Sequence, residues 1–347
     1  MMKIKKRNLF TCLVVGIIGL WGILFNSTET LYADSTDSAY SVSANIPEEQ
    51  TNKDVSYFDL TVAPNDTRDL SIHLSNVGEK DSVFEIEINN AATNTNGVID
   101  YNQSTFKKDA SAKYTISDVL TTDSKEVTVK AGEAKDVHFH LKMPKETFDG
   151  ILLGGIHVSK KDNQSEKVSG TAIRNKYAYV VGVELRNNSN PVTPDLKLLS
   201  VKAGLQNSYA TIFAHLQNPT PTIISQVHTK AVITKNGSSK VLYSAEKDNM
   251  SIAPNTNFNF PISLDKKKMD AGTYTLTMDA TEGKTQKKWH LTKTFTIKSD
   301  KAKKINKEAV IEEKESISYL SIIIGVGIFL LGIIAFLSYK LFKQKGR

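Results

Sequence analysis

At 347 residues the chain has room for two ordinary domains beside targeting segments, and 40% hydrophobic with 23% charged residues excludes a disordered polymer. The formal charge of +7 does not mark a polyanion binder: once the four bases near each terminus and Glu29 are set aside, 36 basic residues balance 36 acidic ones over Asp34–Ile317, so a nucleic-acid partner is not expected. The single cysteine, Cys12, excludes an internal disulfide and a cysteine-based zinc site.

The chain opens with Lys3, Lys5, Lys6 and Arg7, an apolar run from Leu9 to Phe25, and a polar stretch to Ala33. That three-part order predicts a secretory signal peptide over residues 1–33, with Ala39 as a second cleavage position. Cys12 precedes most of the apolar run, whereas a lipid-bearing cysteine follows it, so lipidation is not expected.

From residue 34 the hydrophobic period is two. Leu70, Ile72 and Leu74 alternate with polar partners, then Phe84, Ile86 and Ile88, then Val137, Phe139 and Leu141. The same rhythm returns in Tyr177–Leu185, Ala210–Leu216, Phe258–Leu264 and Tyr274–Met278. Asn96-Gly97, Asn236-Gly237 and Ala271-Gly272 supply turn chemistry between such runs. The expected fold is all-β, with two consecutive Ig-like β-sandwich domains. The polar stretch Lys160–Gly170 is taken as the boundary, or as a mobile loop beside it, which gives domains at 34–160 and 170–298. Residues 299–316, rich in Lys and Glu, predict a charged tether that is helical in part.

Ser318–Tyr339 carries no charge over 22 residues, about 33 Å of helix, and Lys340, Lys343, Lys345 and Arg347 follow. The expectation is a single transmembrane helix over 318–339 and a basic cytoplasmic tail over 340–347. The ectodomain then lies outside the plasma membrane, within or at the cell wall. No LPxTG sorting motif precedes the helix.

Motifs that carry catalysis are absent: there is no HExxH, GxSxG, Walker loop or dinucleotide fingerprint. His138 and His140 share one strand face, a spacing open to metal but more plainly two solvated positions beside Val137, Phe139 and Leu141. Trp289 reads as core, and Lys266-Lys267-Lys268 as a loop face or a small basic patch. No catalytic residue, metal or cofactor is assigned. One loop, Ala92–Val98 with Tyr101 after it, combines a positive-φ turn with amide and hydroxyl groups suited to sugar or peptide. Thr93, Asn94, Thr95, Asn96 and Tyr101 are its candidate ligand residues.

Several stretches resemble the WxL-interacting protein family of Gram-positive surface proteins. Tyr57-Phe58-Asp59-Leu60, Leu70–Asn76, Ala92–Gly97 and Gly150–Ile156 are similar to its peptidoglycan-binding domain. Asn218–Thr222, Met250–Ile262, Gly272-Thr273-Tyr274 and Trp289–Ile297 are similar to its host-binding domain. The resemblance implies peptidoglycan, WxL-domain surface proteins and host extracellular-matrix protein as partners of a membrane-anchored, non-enzymatic binding protein. Two alternatives from other classes stay open: a cell-wall-remodelling enzyme using scattered carboxylates, and a chaperone or sensor that holds exported chains at a sheet edge.

Overall fold

The computed structural model describes residues 39–102, 107–161, 177–312 and 319–345, with side chains of the last stretch described for 323–337. The expected signal peptide, most of the expected boundary stretch and the side chains of the basic tail lie outside the described residues.

Eleven strands and a short helix make the first module: β1 Tyr40–Ala44, β2 Phe58–Thr61, β3 Thr67–Asn76, β4 Ser82–Asn90, β5 Ala92–Thr93, β6 Ile99–Asp100, α1 Ile116–Val119, β7 Leu120–Thr121, β8 Glu126–Val129, β9 Ala134–Lys142, β10 Leu152–Lys160 and β11 Ala178–Arg186. One sheet runs β1-β3-β9-β7 and the other β2-β11-β10-β4-β8, while β5 and β6 form a separate small hairpin. The alternation read from sequence is the packing: in β9, Val137, Phe139 and Leu141 are buried while His138 and His140 face solvent. Both sheets turn such faces onto a shared core that includes Phe58, Ile72, Phe84, Phe139 and Ile156. Each fully buried side chain of this size contributes about 1.5–3 kcal/mol.

The expected boundary at 160–170 is not where the packing divides. β10 and β11 form one antiparallel hairpin, with Ser159 opposite Ala178 and Leu152 opposite Leu185. β11 also pairs in parallel with β2, and its Val181, Val183 and Leu185 belong to the first core. The strands on either side of the polar stretch therefore pair within module one. A polar, aperiodic run carries no record of which of its neighbouring strands pair with each other, so it reads as a boundary whether or not they do.

Module two comprises β12 Lys197–Gln206, β13 Tyr209–Asn218, β14 Ile224–Lys235, β15 Val241–Ile252, β16 Thr256–Ser263, β17 Gly272–Thr281, β18 Lys288–Ile297 and α2 Ser299–Glu308. Sheet β12-β13-β16 faces sheet β15-β14-β17-β18 over a second core built around Ile212, Leu216, Ile233, Phe260 and Leu276.

The expected tether over 299–316 gives way over most of its length. In α2, Ala302 and Ile305 are 4% and 3% exposed and join the second core. Asn306 closes a two-way bond with Met269: its Oδ1 accepts from Met269 N at 2.8 Å, and its Nδ2 donates to Met269 O at 2.9 Å. Beyond the helix, Val310 N donates to Ser208 O and Glu312 N to Lys266 O. Two apolar residues three apart among lysines are enough to bury one side of a short helix, although the composition reads as a solvated linker.

The last helix, α3, runs Tyr319–Lys345, and Ile323, Phe329, Leu331 and Phe336 are among its exposed apolar side chains. Among the described residues, no helix is long and apolar enough to cross a membrane.

Candidate functional site

The loop singled out from sequence folds into the junction between the modules. Asn94 organises it as expected of turn chemistry: its Oδ1 accepts from Asn96 N at 2.9 Å and Val98 N at 3.2 Å, and Gly97 holds φ +67. Several of its groups, however, are taken by module two. Thr93 is 4% exposed, and its Oγ1 accepts from Ala253 N at 2.9 Å. Lys247 Nζ donates to Thr95 O at 3.3 Å, and Ser251 N donates to Gly97 O at 2.8 Å. A Cβ at Gly97 would meet Met250 Cγ at 2.5 Å, so the close approach needs glycine. Within the loop, Asn96 and Val98 face solvent. Of the four loop residues, Thr93 and Thr95 hold the second module, Asn94 holds the turn and Asn96 stays on the surface.

Asp109 is the polar centre of the same junction. It is 7% exposed and accepts from Gln217 Nε2 at 2.7 Å and Asn257 Nδ2 at 2.6 Å across the interface, besides the backbone and hydroxyl of Ser111. Burial by itself would raise its pKa, but these hydrogen bonds to the charged form outweigh that and hold it below the usual carboxylate value. Ile151 N adds a bond to Pro221 O at 2.8 Å.

Tyr101 goes elsewhere, onto the outer face of the β2-β11-β10-β4-β8 sheet. Gly155 and Gly182 stand opposite each other in register there, with Asn89 beside Gly155 on β4. Two adjacent residues without side chains leave a trough. A Cβ at Gly155 would lie 3.3 Å from Tyr101 Cδ1 and 2.7 Å from Val180 Cγ1, and one at Gly182 would lie 3.4 Å from Tyr57 Cβ. The two tyrosines therefore rest on a glycine floor. Along one side run Asp59, Glu184 and Arg186. Arg186 Nη2 donates to Asp59 Oδ1 at 2.7 Å and also to Glu184 Oε1. On the other side, His157 is 6% exposed, with Nδ1 3.5 Å from Glu87 Oε2 but outside hydrogen-bond alignment.

Buried polar atoms are normally satisfied, and among the described residues four are not. Three of these, Asn89 Nδ2, His157 Nδ1 and Arg186 Nε, belong to residues at this face. Burial pushes the Tyr101 hydroxyl up to about 12, with help from Glu184 and Tyr57, and raises Tyr57 too, so both phenols remain donors at neutral pH. Burial also raises Glu184, against the pull of Arg186. Aromatic faces flanked by planar donors and acceptors suit a carbohydrate or a short peptide.

Of this group, sequence reasoning selected only Tyr101. Tyr57, Asp59, Asn89, His157, Glu184 and Arg186 come from four other segments and meet only through strand register. Gly155 and Gly182 were the available signal, because glycine inside a strand marks close approach of another group.

Other flagged residues resolve more simply. His140 donates or accepts at Asp69 and Asp123, which raise its pKa, and both histidines of the pair lie on the solvent side. Among the described residues, no group of three or more potential ligands is arranged to hold a metal. Trp289 is 8% exposed in the second core, with Nε1 donating to Asp195.

Two family models match the chain in sequence. Residues 40–160 match "WxL Interacting Protein, peptidoglycan binding domain", and residues 168–307 match "WxL Interacting Protein, host binding domain". No curated protein shows a significant sequence match. Among solved structures, the chaperone DraB of E. coli is 12% identical, with 75% of this chain and 97% of that one covered and a TM-score of 0.30. The CsuC–CsuE chaperone–tip adhesion subunit pre-assembly complex of Acinetobacter baumannii is 10% identical, with coverages of 64% and 89% and a TM-score of 0.30. The ASH/PapD-like domain of human CEP192 is 9% identical, with coverages of 48% and 97% and a TM-score of 0.29. Scores this low carry no functional argument.

Proposed function

The chain belongs to the WxL Interacting Protein family and carries its peptidoglycan-binding and host-binding domains, and from that premise we propose that it is a membrane-anchored surface scaffold gripping the wall through the tyrosine face of module one. The observation that carries the site assignment is the coincidence of two floor-mounted tyrosines with three unpartnered buried polar atoms on one sheet face. Glycan rings stack on aromatic faces, and glycan hydroxyls and peptide amides supply the partners those atoms lack. WxL-domain proteins and host matrix are the partners of module two on this reading. Support for anchoring is the uncharged sequence 318–339 with four bases behind it.

The test is co-sedimentation of the purified chain with insoluble peptidoglycan. Tyr57→Ala and Tyr101→Ala should each weaken binding by about tenfold or more, the scale of an aromatic hot spot, with thermal unfolding checked alongside. Undiminished binding by folded variants would remove the assignment. A hydrolytic reading draws on one observation, the raised Glu184 beside Asp59. Soluble wall fragments released by the native chain and not by Glu184→Gln would favour that reading over binding.

A further inference from the structure

Module two has two ends, defined by its strands. β13 ends at Asn218 and β15 at Ile252, where Pro221 and Ala253 meet module one. The other ends of β13 and β16 meet α2 and the segment after it, through Ser208, Lys266 and Met269. The chain leaves for α3 from this lower end. Because Val310 and Glu312 are pinned there by backbone bonds, only residues 313–318 separate the module from α3. Six residues reach about 20 Å at full extension. If α3 enters a bilayer, the lower end must lie against its surface, whatever the rest of the ectodomain does.

The surface so placed is rich in lysine. Ala302 and Ile305 turn inward, which leaves Lys301, Lys303, Lys304 and Lys307 exposed on α2. Lys267 and Lys268 are exposed in the neighbouring loop, which Asn306 ties to the helix through Met269. Asp300 and Glu308 lie at the ends of α2, Asp265 and Asp270 at the ends of the loop, and Lys266 pairs with Glu312 beside them, so the seven lysines of this end exceed its five acids by two. Asp34–Ile317 as a whole is neutral, so the rest of it carries an acidic excess and this concentration of lysine is local.

We propose that the α2 end of module two is a docking surface for anionic phospholipid headgroups, which seats the module on the outer bilayer surface and presents module one about a strand's length higher. The proposal rests on the anchoring reading above, since the short connection decides which face meets the lipid. Lysines near an anionic surface each shift contact by about fivefold, and the effect falls off within a Debye length, so the six-residue connection is what makes it available.

The experiment uses the full chain with Cys12→Ser and a fluorophore on Ser299→Cys, reconstituted into vesicles that carry a headgroup-attached quencher. Vesicles of phosphatidylcholine alone are compared with vesicles half of phosphatidylglycerol. Flotation with the neutral vesicles reports anchoring, and quenching reports docking. Expected results are stable flotation in both and several-fold stronger quenching in the anionic vesicles. High salt, or K303E/K304E/K307E with an unchanged melting temperature, should abolish the excess. Flotation with quenching indifferent to lipid charge would overturn the docking surface and leave anchoring intact. Failure to float with neutral vesicles would remove the anchor and the docking surface together. Loss of the excess on adding soluble poly(glycerol phosphate) at matched charge would assign the lysines to a wall polymer instead and overturn the lipid proposal.

Discussion

Modules one and two are both two-sheet β structures, yet they complete their cores with different kinds of C-terminal element. Module one is closed by a strand, β11, inserted between β2 and β10. Module two is closed by a helix, α2, laid over the lower end of its sandwich through Ala302 and Ile305. In each case the closing element lies beyond the point at which the sequence reads as the end of the domain. The family model for the host-binding domain begins at residue 168, so by sequence family β11 opens the second domain while by packing it completes the first. Sequence units and folding units are therefore offset by one strand.

The sharpest way to break the comparison is to cut between the two definitions. A fragment of residues 40–160 loses Val181, Val183 and Leu185 from its core, and β2 loses the only sheet neighbour it has among the described residues. At about 1.5–3 kcal/mol per buried side chain, the loss is comparable to a whole domain's net stability. That fragment should show the narrow amide dispersion of an unfolded chain, and a fragment of residues 39–188 should show a dispersed spectrum. A dispersed 40–160 fragment would mean that β11 is an accessory strand.

The helix closure should cost less. Ile305→Ala leaves a cavity under α2 and should destabilise module two by about 3 kcal/mol. Hydrogen exchange in 299–308 should accelerate while module one stays protected. Equal loosening of both modules would make α2 part of one shared cooperative unit.

Smaller still is the junction. Asp109→Ala leaves the amides of Gln217 and Asn257 without their acceptor and should weaken inter-module coupling by about 1–2 kcal/mol, read as separation of two thermal transitions. Because the folded pKa of Asp109 is depressed, its contribution is fully present above the unfolded carboxylate value of about 4 and is lost as pH falls through the lower folded value. Coupling measured against pH should therefore fall on acidification in the native chain, and Asp109→Ala should flatten that part of the profile. The smallest effect belongs to His228, which pairs with Asp248 and Glu246 on an exposed sheet face. His228→Ala should leave the melting temperature unchanged within error, since exposed pairs are screened by solvent.

Much of the fold was legible because strand alternation is a local signal. Val137, Phe139 and Leu141 declare an inward face with no knowledge of what they pack against. β11 was legible as a strand but not as a member of module one, because Gly155–Gly182 and Leu185–Leu60 registers are contacts between segments. A partly helical stretch was legible at 299–316, but the docking of α2 was hidden by its lysines, which outnumber the two residues that dock it. At the candidate site, turn chemistry marked the turn from Asn94 to Gly97, but turn chemistry does not reveal what a loop touches. Tyr57, Glu184 and Arg186 carried no local mark.

By itself the amino-acid sequence determined the all-β class, the two cores, the turn positions and the family, because each depends on side-chain period or on short ordered motifs. Tertiary structure decided which module owns β11, that 299–312 is folded rather than free, and that Tyr57 and Tyr101 share a glycine floor. Those outcomes depend on pairing register and on burial between residues far apart in the chain, and a one-residue shift of register would turn each strand's side chains to the opposite face.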